Sequence, residues 1–550
     1  MCTVKDNLAN EKVRQKMNNK NTKPRIEIYD TTLRDGAQTQ GVSFTLQDKL
    51  LIAKAMDELG VDVIEGGYPL SNPKDEAFFH EIPKQGLKRA KVAAFGMTRR
   101  RGVKVDQDDG MKCLLASQAP IVTIVGKAWD MHVHEVLRIS LEENLEMISQ
   151  SIELMVRSGR EVVFDPEHSF DGYRANREYF MQALLWAVRA GAKTICLCDT
   201  NGGSLPEQIA QCVDDVRREL GGEVRLGIHC HNDGGLAVAN TLAAVLHGCS
   251  HVQGTINGIG ERCGNADLTA VIPNLMLKYG YFCLAEGTLA NLTEISRFVY
   301  EVANLNLREY QPFVGSAAFA HKGGMHAHAV ARNTSTYEHV NPAEVGNSRR
   351  ILVSEVAGVS NIAAKVPSKF KIADDRPAQK KILNRMMAME NEGYQFEAAE
   401  ASFEVLVRKE LGEPWYRPLW ELDHYRCTIL RRDGADASTE ATIKLTVAGQ
   451  VEHTVAEGNG PVDSLCKALI GALVRHYPAV KNLHLVDYKV RVVNTAAETA
   501  AKVRVVIDWH DKQTLEYFGS VGVSENIIDA SWLALVDAFE YKQLNLQEAS

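Results

Sequence analysis

The nine residues Arg225-Leu226-Gly227-Ile228-His229-Cys230-His231-Asn232-Asp233 begin as an apolar strand and end in a cluster of polar side chains. In extended backbone, side chains two positions apart share a face. His229 and His231 therefore project together, while Cys230 points the other way and packs behind the strand. Two imidazoles at one strand end make a pair of metal ligands that lacks only a carboxylate. An isolated His-x-His fits a pair of surface histidines equally well, so the surroundings have to decide.

Seven other short apolar runs have the same form: Ile26–Thr31, Val61–Gly67, Lys91–Gly96, Ile121–Lys127, Glu161–Glu167, Thr194–Thr200 and His251–Asn257. With Arg225–His231 they make eight strand candidates at intervals of about thirty residues, the spacing of a repeated β-α unit. The stretches between them carry helical periodicity. Leu46–Leu59 sets Leu50, Ala53, Met56 and Leu59 on one side, and Leu205–Leu220 behaves alike. Eight successive units predict an α/β fold, a parallel (β/α)8 TIM barrel over residues 25–285. A doubly wound open sheet is the competing architecture, but it seldom repeats so evenly.

Chemistry in such a barrel sits at the C-terminal ends of the strands. Arg34 and Asp35 follow the first run, Glu65-Gly66-Gly67-Tyr68-Pro69 close the second, and Asp165 and Glu167 close the fifth. The sixth ends in Asp199-Thr200-Asn201-Gly202-Gly203, and the eighth leads into Asn257–Asn265. One polar strand end means little; polar residues on most of them mean a site. His229, His231 and one carboxylate would hold a divalent ion and leave positions open for substrate. Asp35 is the carboxylate of choice, because Arg34 beside it is placed to stabilise a developing oxyanion. Taken alone, Arg34 and Asp35 read as a local ion pair closing the first loop.

Composition narrows the class. The chain has 550 residues, 45% hydrophobic and 24% charged, with a net charge of −8. That is a globular protein of three or four domains at ~150 residues each, without the basic footprint of a nucleic-acid binder. No apolar run approaches the ~18 residues of a membrane span. Residues 1–24 form a polar tail that lacks the apolar stretch of a secretory signal. The expected setting is cytoplasmic. Eleven cysteines without C-x-x-C pairs fit reduced, mostly buried thiols better than a disulfide framework or a zinc ribbon.

Three motifs then carry a resemblance: D-T-T-L-R-D-G-A-Q from Asp30, H-C-H-N-D-G-G-L-A-V-A-N from His229 and N-G-I-G-E-R-C-G-N-A-D-L from Asn257. In this order they resemble the 2-isopropylmalate synthase/homocitrate synthase family, barrel enzymes that condense acetyl-CoA with a 2-oxo acid. Glu65–Asp75, Val92–Val105, Phe164–Tyr173, Ala318–His326, Asn391–Glu404 and Ala456–Val462 place the chain near the branch that uses pyruvate. The resemblance runs from about residue 25 to near the end. It implies a divalent ion (Mn, Mg, Zn and Co are not distinguished) on Asp35, His229 and His231, with Asn265 as a weak or outer ligand. It implies Arg34 as the catalytic arginine, Glu167 as the active-site glutamate and Thr200 on the oxo-acid carboxylate. It also implies a homodimer in which His326, with Tyr337, reaches the partner's site as general base. Each has a plainer reading: a strand-end salt bridge for Glu167, a turn cap for Thr200 and a packed or surface histidine for His326. His321, His326 and His328 together do not match a zinc signature. Arg99-Arg100-Arg101 stand at the right end of the barrel for CoA phosphates, yet read better as a solvated charged face.

Residues 286–417 read as helical linker subdomains, punctuated by Pro342–Gly346 and with a helix over Met386–Leu406. Residues 418–550 change character. Thr442–Val447, Tyr488–Val493 and Lys502–Ile507 alternate as half-buried strands. Gly458-Asn459-Gly460-Pro461 leads into a helix through Ala472, and Gly519–Gly522 into another starting near Ser524. Pro461 suits a first helical position and Ser524 an N-cap. Two β-β-β-α units make a pseudo-symmetric α+β module for dimerisation or regulation; in the family such a module also binds the pathway's end-product amino acid, here isoleucine. Four other readings compete: a sister synthase using 2-oxoisovalerate or 2-oxoglutarate, a lyase on the same barrel, a 2-His-1-carboxylate iron oxygenase and a non-enzymatic amino-acid sensor.

Overall fold

Eight strands hydrogen-bond in chain order, and the last returns to the first to close a parallel barrel. They are β1 (Glu27–Asp30), β2 (Val63–Gly67), β3 (Lys91–Met97), β4 (Ile121–Lys127), β5 (Glu161–Glu167), β6 (Thr194–Asp199), β7 (Arg225–Cys230) and β8 (His251–Gly254). This is the barrel that the spacing predicts. The computed structural model describes residues 25–550 except 223, 322–325, 327–328, 331, 352–365, 367, 373, 434–436, 494–500, 515 and 550. The tail at 1–24 and His328 lie outside the described residues.

Local rules explain the elements. The helix Leu46–Leu59 keeps its expected bounds. The Thr45 hydroxyl accepts the Asp48 amide at 3.2 Å while the Asp48 carboxylate accepts the Thr45 amide at 2.8 Å, a reciprocal cap. Gly60, at φ 92°, ends the helix in the left-handed region, and Leu50, Ala53, Met56 and Leu59 form its buried side. β8 is shorter than expected. After Gly254 the chain leaves the barrel wall, because the Thr255 hydroxyl donates to Ile259 O at 2.6 Å and Asn257 turns at φ 65°.

Alternate strand residues face inward. Tyr29, Val63, Ala93, Ile121, Val163 and Cys196 form a buried interior layer. Nearer the N-terminal ends of the strands, Glu27 pairs with Arg225 and His251. Outward-facing residues such as Ile64, Val122, Phe164, Leu197, Ile228 and Cys230 join the core shared with the helices, so Cys230 does pack behind its strand. With the lower interior filled, the rim is left for a ligand.

The chain divides into two compact units, Met1–Phe319 with Val340–Ser348, and Ala320–His339 with Arg349–Ser550. The second unit begins with β9 (Ala320–His321), paired in parallel with β10 (Arg350–Ile351). The single helix expected over Met386–Leu406 is instead two, Arg376–Asn391 and Glu400–Leu411. Gly393, at φ 110°, falls in the break between them. Then come β11 (Trp420–Leu430), β12 (Ser438–Val447) and β13 (Gln450–Gly458), an antiparallel sheet followed by the helix Pro461–Leu473. A second antiparallel sheet, β14 (Leu483–Val492), β15 (Val503–Asp511) and β16 (Glu516–Ser524), leads to the helix Ile527–Ala549. The predicted β-β-β-α repeat is therefore present. On the two middle strands, Ile443, Leu445 and Val447 alternate inward, as do Val505, Ile507 and Trp509, and all join one core with Leu469, Trp532 and Phe539. Pro461 does open its helix, but the second cap falls at Asn526 rather than Ser524: Asn526 Oδ1 accepts the Ile528 amide at 2.8 Å, and Ser524 Oγ accepts the Asn526 amide.

Ten described cysteines are free, six of them buried. No described helix is long and apolar enough to cross a membrane.

Candidate active site

β7 delivers His229 to the barrel mouth, and His231 follows one residue past its end, where its backbone bridges to Asn265. Asp35 arrives from the turn after β1, with its amide on Thr31 O at 2.9 Å. Ligand atoms of Asp35, His229 and His231 lie within 4.8 Å of one another, and all three residues are buried. His229 Nε2 is 3.3 Å from Asp35 Oδ2 and 3.4 Å from His231 Nε2. Asp35 Oδ1, His231 Nδ1 and Asn265 Oδ1 are buried without a hydrogen-bond partner. Buried polar atoms are normally paired, and the orphaned oxygens of Asp35 and Asn265 beside the cluster fit a site that takes a cation. The donor set fits that role.

Electrostatics agree. Burial alone would raise the Asp35 carboxyl, but the Arg34 guanidinium and His229 hold it well below the usual carboxylate range. Burial, with His229 adjacent, pushes His231 down to about 4, leaving a neutral imidazole with a lone pair to give.

Arg34 is locked beside this cluster. Its Nε donates to Glu65 Oε2 at 2.6 Å, its Nη1 to Asp35 Oδ2 at 3.1 Å, and its guanidinium carbon lies 4.1 Å from the centre of the Phe95 ring. Glu65 also accepts the Tyr29 hydroxyl at 2.8 Å. A cleft of about 260 Å³ opens beside Arg34, lined in part by Tyr68, Lys74 and Phe95. Asp165, deeper in, accepts Gln253 Nε2 at 3.2 Å. Burial and the charge of Glu65 raise its carboxyl to about 7.

The other expected residues divide. Glu167 closes β5, half-buried and ion-paired with Lys127. Thr200 Oγ1 accepts the His168 amide at 2.9 Å, tying the ends of β5 and β6 together. In the loop after β8, Asn265 Nδ2 donates to Ile259 O at 3.3 Å. Gly264, at φ 89°, has no room for a side chain against the Gly258 carbonyl. His326 and Tyr337 belong to the second unit, where their rings stack 4.2 Å apart; His321 there pairs with Glu338 at 3.1 Å. The arginine run is not one solvated face. Arg99 is buried, bonded to Gln150 and Glu143, whereas Arg100 pairs with Asp108 and Asp109, and Arg101 donates to Leu137 O. Arg99 goes inside because Glu143 neutralises it there.

Comparison with known proteins settles the lineage. Residues 25–299 match the HMGL-like family model. The chain belongs to the HMGL-like family. Residues 313–393 further match the homocitrate synthase post-HMGL domain-like model and residues 397–543 the LeuA allosteric (dimerisation) domain. The chain is 48% identical to an (R)-citramalate synthase of Aquifex aeolicus, over 95% of this chain and 99% of the relative. It is 49% identical to one of Geobacter sulfurreducens, over 94% and 97%. A 2-isopropylmalate synthase of Methanocaldococcus jannaschii is 31% identical over 96% of both chains.

In this member of the HMGL-like family, several interior residues escaped motif reading. Lys127, His251 and Gln253 stand in no motif, although period-two alternation from His251 sets both β8 residues on one face. Asp30 carries a further consequence of burial. Fully buried, it accepts the Thr32 hydroxyl at 2.7 Å. Burial raises its carboxyl to about 7 against the bonds from Thr32. Unfolded, the same group ionises near ~3.9, so between these values the folded chain keeps a proton that the unfolded chain releases. Its contribution to stability therefore falls as pH rises through that window. Asp30→Asn has nothing to ionise and is expected to gain stability relative to the parent as pH climbs from about 4 to about 7. Urea unfolding across that range checks this, and a pH-independent difference would refute it.

Proposed function

We propose that the chain is an (R)-citramalate synthase, joining acetyl-CoA to pyruvate and hydrolysing the thioester to give (R)-citramalate and CoA, on the threonine-independent route to isoleucine. One observation carries the reading: near-full-length likeness to (R)-citramalate synthases at 48% and 49% identity, on a chain that keeps Arg34, Asp35, His229 and His231 together.

Asp35, His229 and His231 would hold a divalent ion, with Asn265 beside them, and the donor set is compatible with several metals. Such an ion supplies Lewis acidity for the 2-oxo group of pyruvate. The protein's own groups do the rest. Arg34, held rigid by Glu65 and Phe95, meets the negative charge that develops on the keto oxygen. Thr200 accepts the His168 amide through a lone pair, which leaves its hydroxyl proton for the pyruvate carboxylate. Glu167, ion-paired to Lys127, is the active-site glutamate. His326, stacked on Tyr337 and contributed by a second subunit, takes the proton from the acetyl methyl. The enolate carbon then bonds to the keto carbon, and water cleaves the thioester to release CoA. The C-terminal module holds the homodimer together and takes isoleucine as feedback ligand.

Thiol release measured with a panel of 2-oxo acids tests this. Pyruvate is expected to exceed 2-oxoisovalerate and 2-oxoglutarate in kcat/KM by about 10²-fold or more. A preference for 2-oxoisovalerate would overturn the assignment in favour of a sister synthase.

A further inference from the structure

Under the metal-ligand cluster, β1, β7 and β8 bring two rings of interior residues into register. Glu27 pairs with His251 and His251 with Gly227; one step nearer the mouth, Tyr29 pairs with Gln253 and Gln253 with His229. From this we infer that Glu27, His251 and Gln253 are positioning residues, a hydrogen-bonded chain that fixes which nitrogen of His229 is offered to the ion. The inference rests on the metal centre proposed above.

The chain of bonds is satisfied in one direction. The Glu27 carboxylate takes the Arg225 guanidinium and His251 Nδ1, the latter at 2.6 Å. Burial would raise Glu27, but His251 and Arg225 bring it down to about 2, so it only accepts. His251 Nδ1 therefore carries a proton and its Nε2 a lone pair. That lone pair faces Gln253 Nε2 at 3.3 Å, and the same amide nitrogen donates to Asp165 Oδ1 at 3.2 Å. With its NH2 turned that way, Gln253 presents Oε1 to His229 Nδ1 at 2.9 Å. A carbonyl oxygen accepts only, so the His229 Nδ1 proton is committed there. Nε2 is left toward Asp35 and His231.

The opposite orientation fails at both ends. A reversed Gln253 amide would set Oε1 against the His251 lone pair. It would also set NH2 against His229 Nδ1, moving the imidazole proton to Nε2, where a ligand needs its lone pair. Glu27, acting through His251, and Asp165, bonded to the same amide nitrogen, together hold Gln253 in the orientation that settles the His229 tautomer. The packing makes room for this. A Cβ on Gly227 would lie 2.7 Å from His251 Cδ2, and the His251 ring lies 5.1 Å from that of Tyr29.

The test uses the full chain, stripped of metal by chelation and titrated with Mn²⁺ alone, with free Mn²⁺ read by electron paramagnetic resonance. His251→Phe keeps the ring against Tyr29 but removes one of the two acceptors that hold the Gln253 amide, leaving Asp165 alone; it is expected to weaken Mn²⁺ binding by about tenfold or more. His251→Gln restores an amide oxygen for Gln253 and a donor for Glu27, and is expected to bind as the parent does. Gln253→Leu, which leaves Glu27 and His251 in place, is expected to match His251→Phe. Parent-like binding by His251→Phe or Gln253→Leu overturns the inference, as does His251→Gln binding no better than His251→Phe. A parent chain that takes up no Mn²⁺ overturns the metal centre itself, which separates that failure from failure of the relay.

Discussion

Asp35→Asn is expected to abolish divalent-ion binding and to lower kcat/KM at least about 10³-fold, with the barrel still folded. Asp35 would supply the negative charge among the three proposed ligands, and Asn keeps its size while removing that charge. The fold is expected to survive because Arg34, which donates to Asp35 at 3.1 Å, keeps its shorter bond to Glu65 at 2.6 Å. His229→Ala and His231→Ala are expected to act in the same direction, each removing one imidazole from a site whose ligand atoms lie within 4.8 Å. Elemental analysis gives the metal content, thiol release gives the turnover and circular dichroism the fold. Stoichiometric metal with undiminished turnover in Asp35→Asn, or full parent activity after exhaustive chelation, would remove the ion from the reaction.

Arg34→Met is expected to do two things at once. Burial alone would favour the neutral guanidine, but Glu65 and Asp35 push the group further up, so Arg34 is permanently charged. Without it, Glu65 keeps the Tyr29 hydroxyl but loses its countercharge while fully buried. Breaking one side of a buried pair costs about 3–5 kcal/mol, and losing a preorganised oxyanion donor costs about 10²–10³ in kcat. The double variant Arg34→Met/Glu65→Gln separates the effects. It is expected to recover most of the stability in urea unfolding and none of the turnover, because the uncharged pair no longer penalises burial while the oxyanion still lacks its cation. Recovery of both, or of neither, would show that Arg34 acts only as a packing residue or that Glu65 is not its energetic partner.

Much of the site was readable because the histidine pair is local. His229 and His231 share a face through strand geometry alone, and Asp35 follows its own strand by a few residues. The boundaries that failed did so at local turns that a hydrophobic period does not encode. Asn257 reads as the end of a strand, but the chain turns there to let Thr255 bond Ile259. Met386–Leu406 reads as one helix, but Gly393 breaks it. Arg99 reads as one of three solvated cations, and only the approach of Glu143 and Gln150 takes it inside.

By itself, the amino-acid sequence determined the eight-fold β-α period, the face on which each strand residue lies, the repeat in the last third of the chain and the face that His229 and His231 share. Those are properties of near neighbours, set by the two-residue period of a strand and the 3.6-residue period of a helix. Only the tertiary structure decided which inward-facing residues meet. Arg34 finds Glu65 across 31 positions, His251 finds Glu27 across 224 and Gln253 finds Asp165 across 88. Barrel closure and strand register set those meetings, and neither is written in any local period. Side-chain alternation tells a residue which way to point; closure of the barrel decides what it finds there.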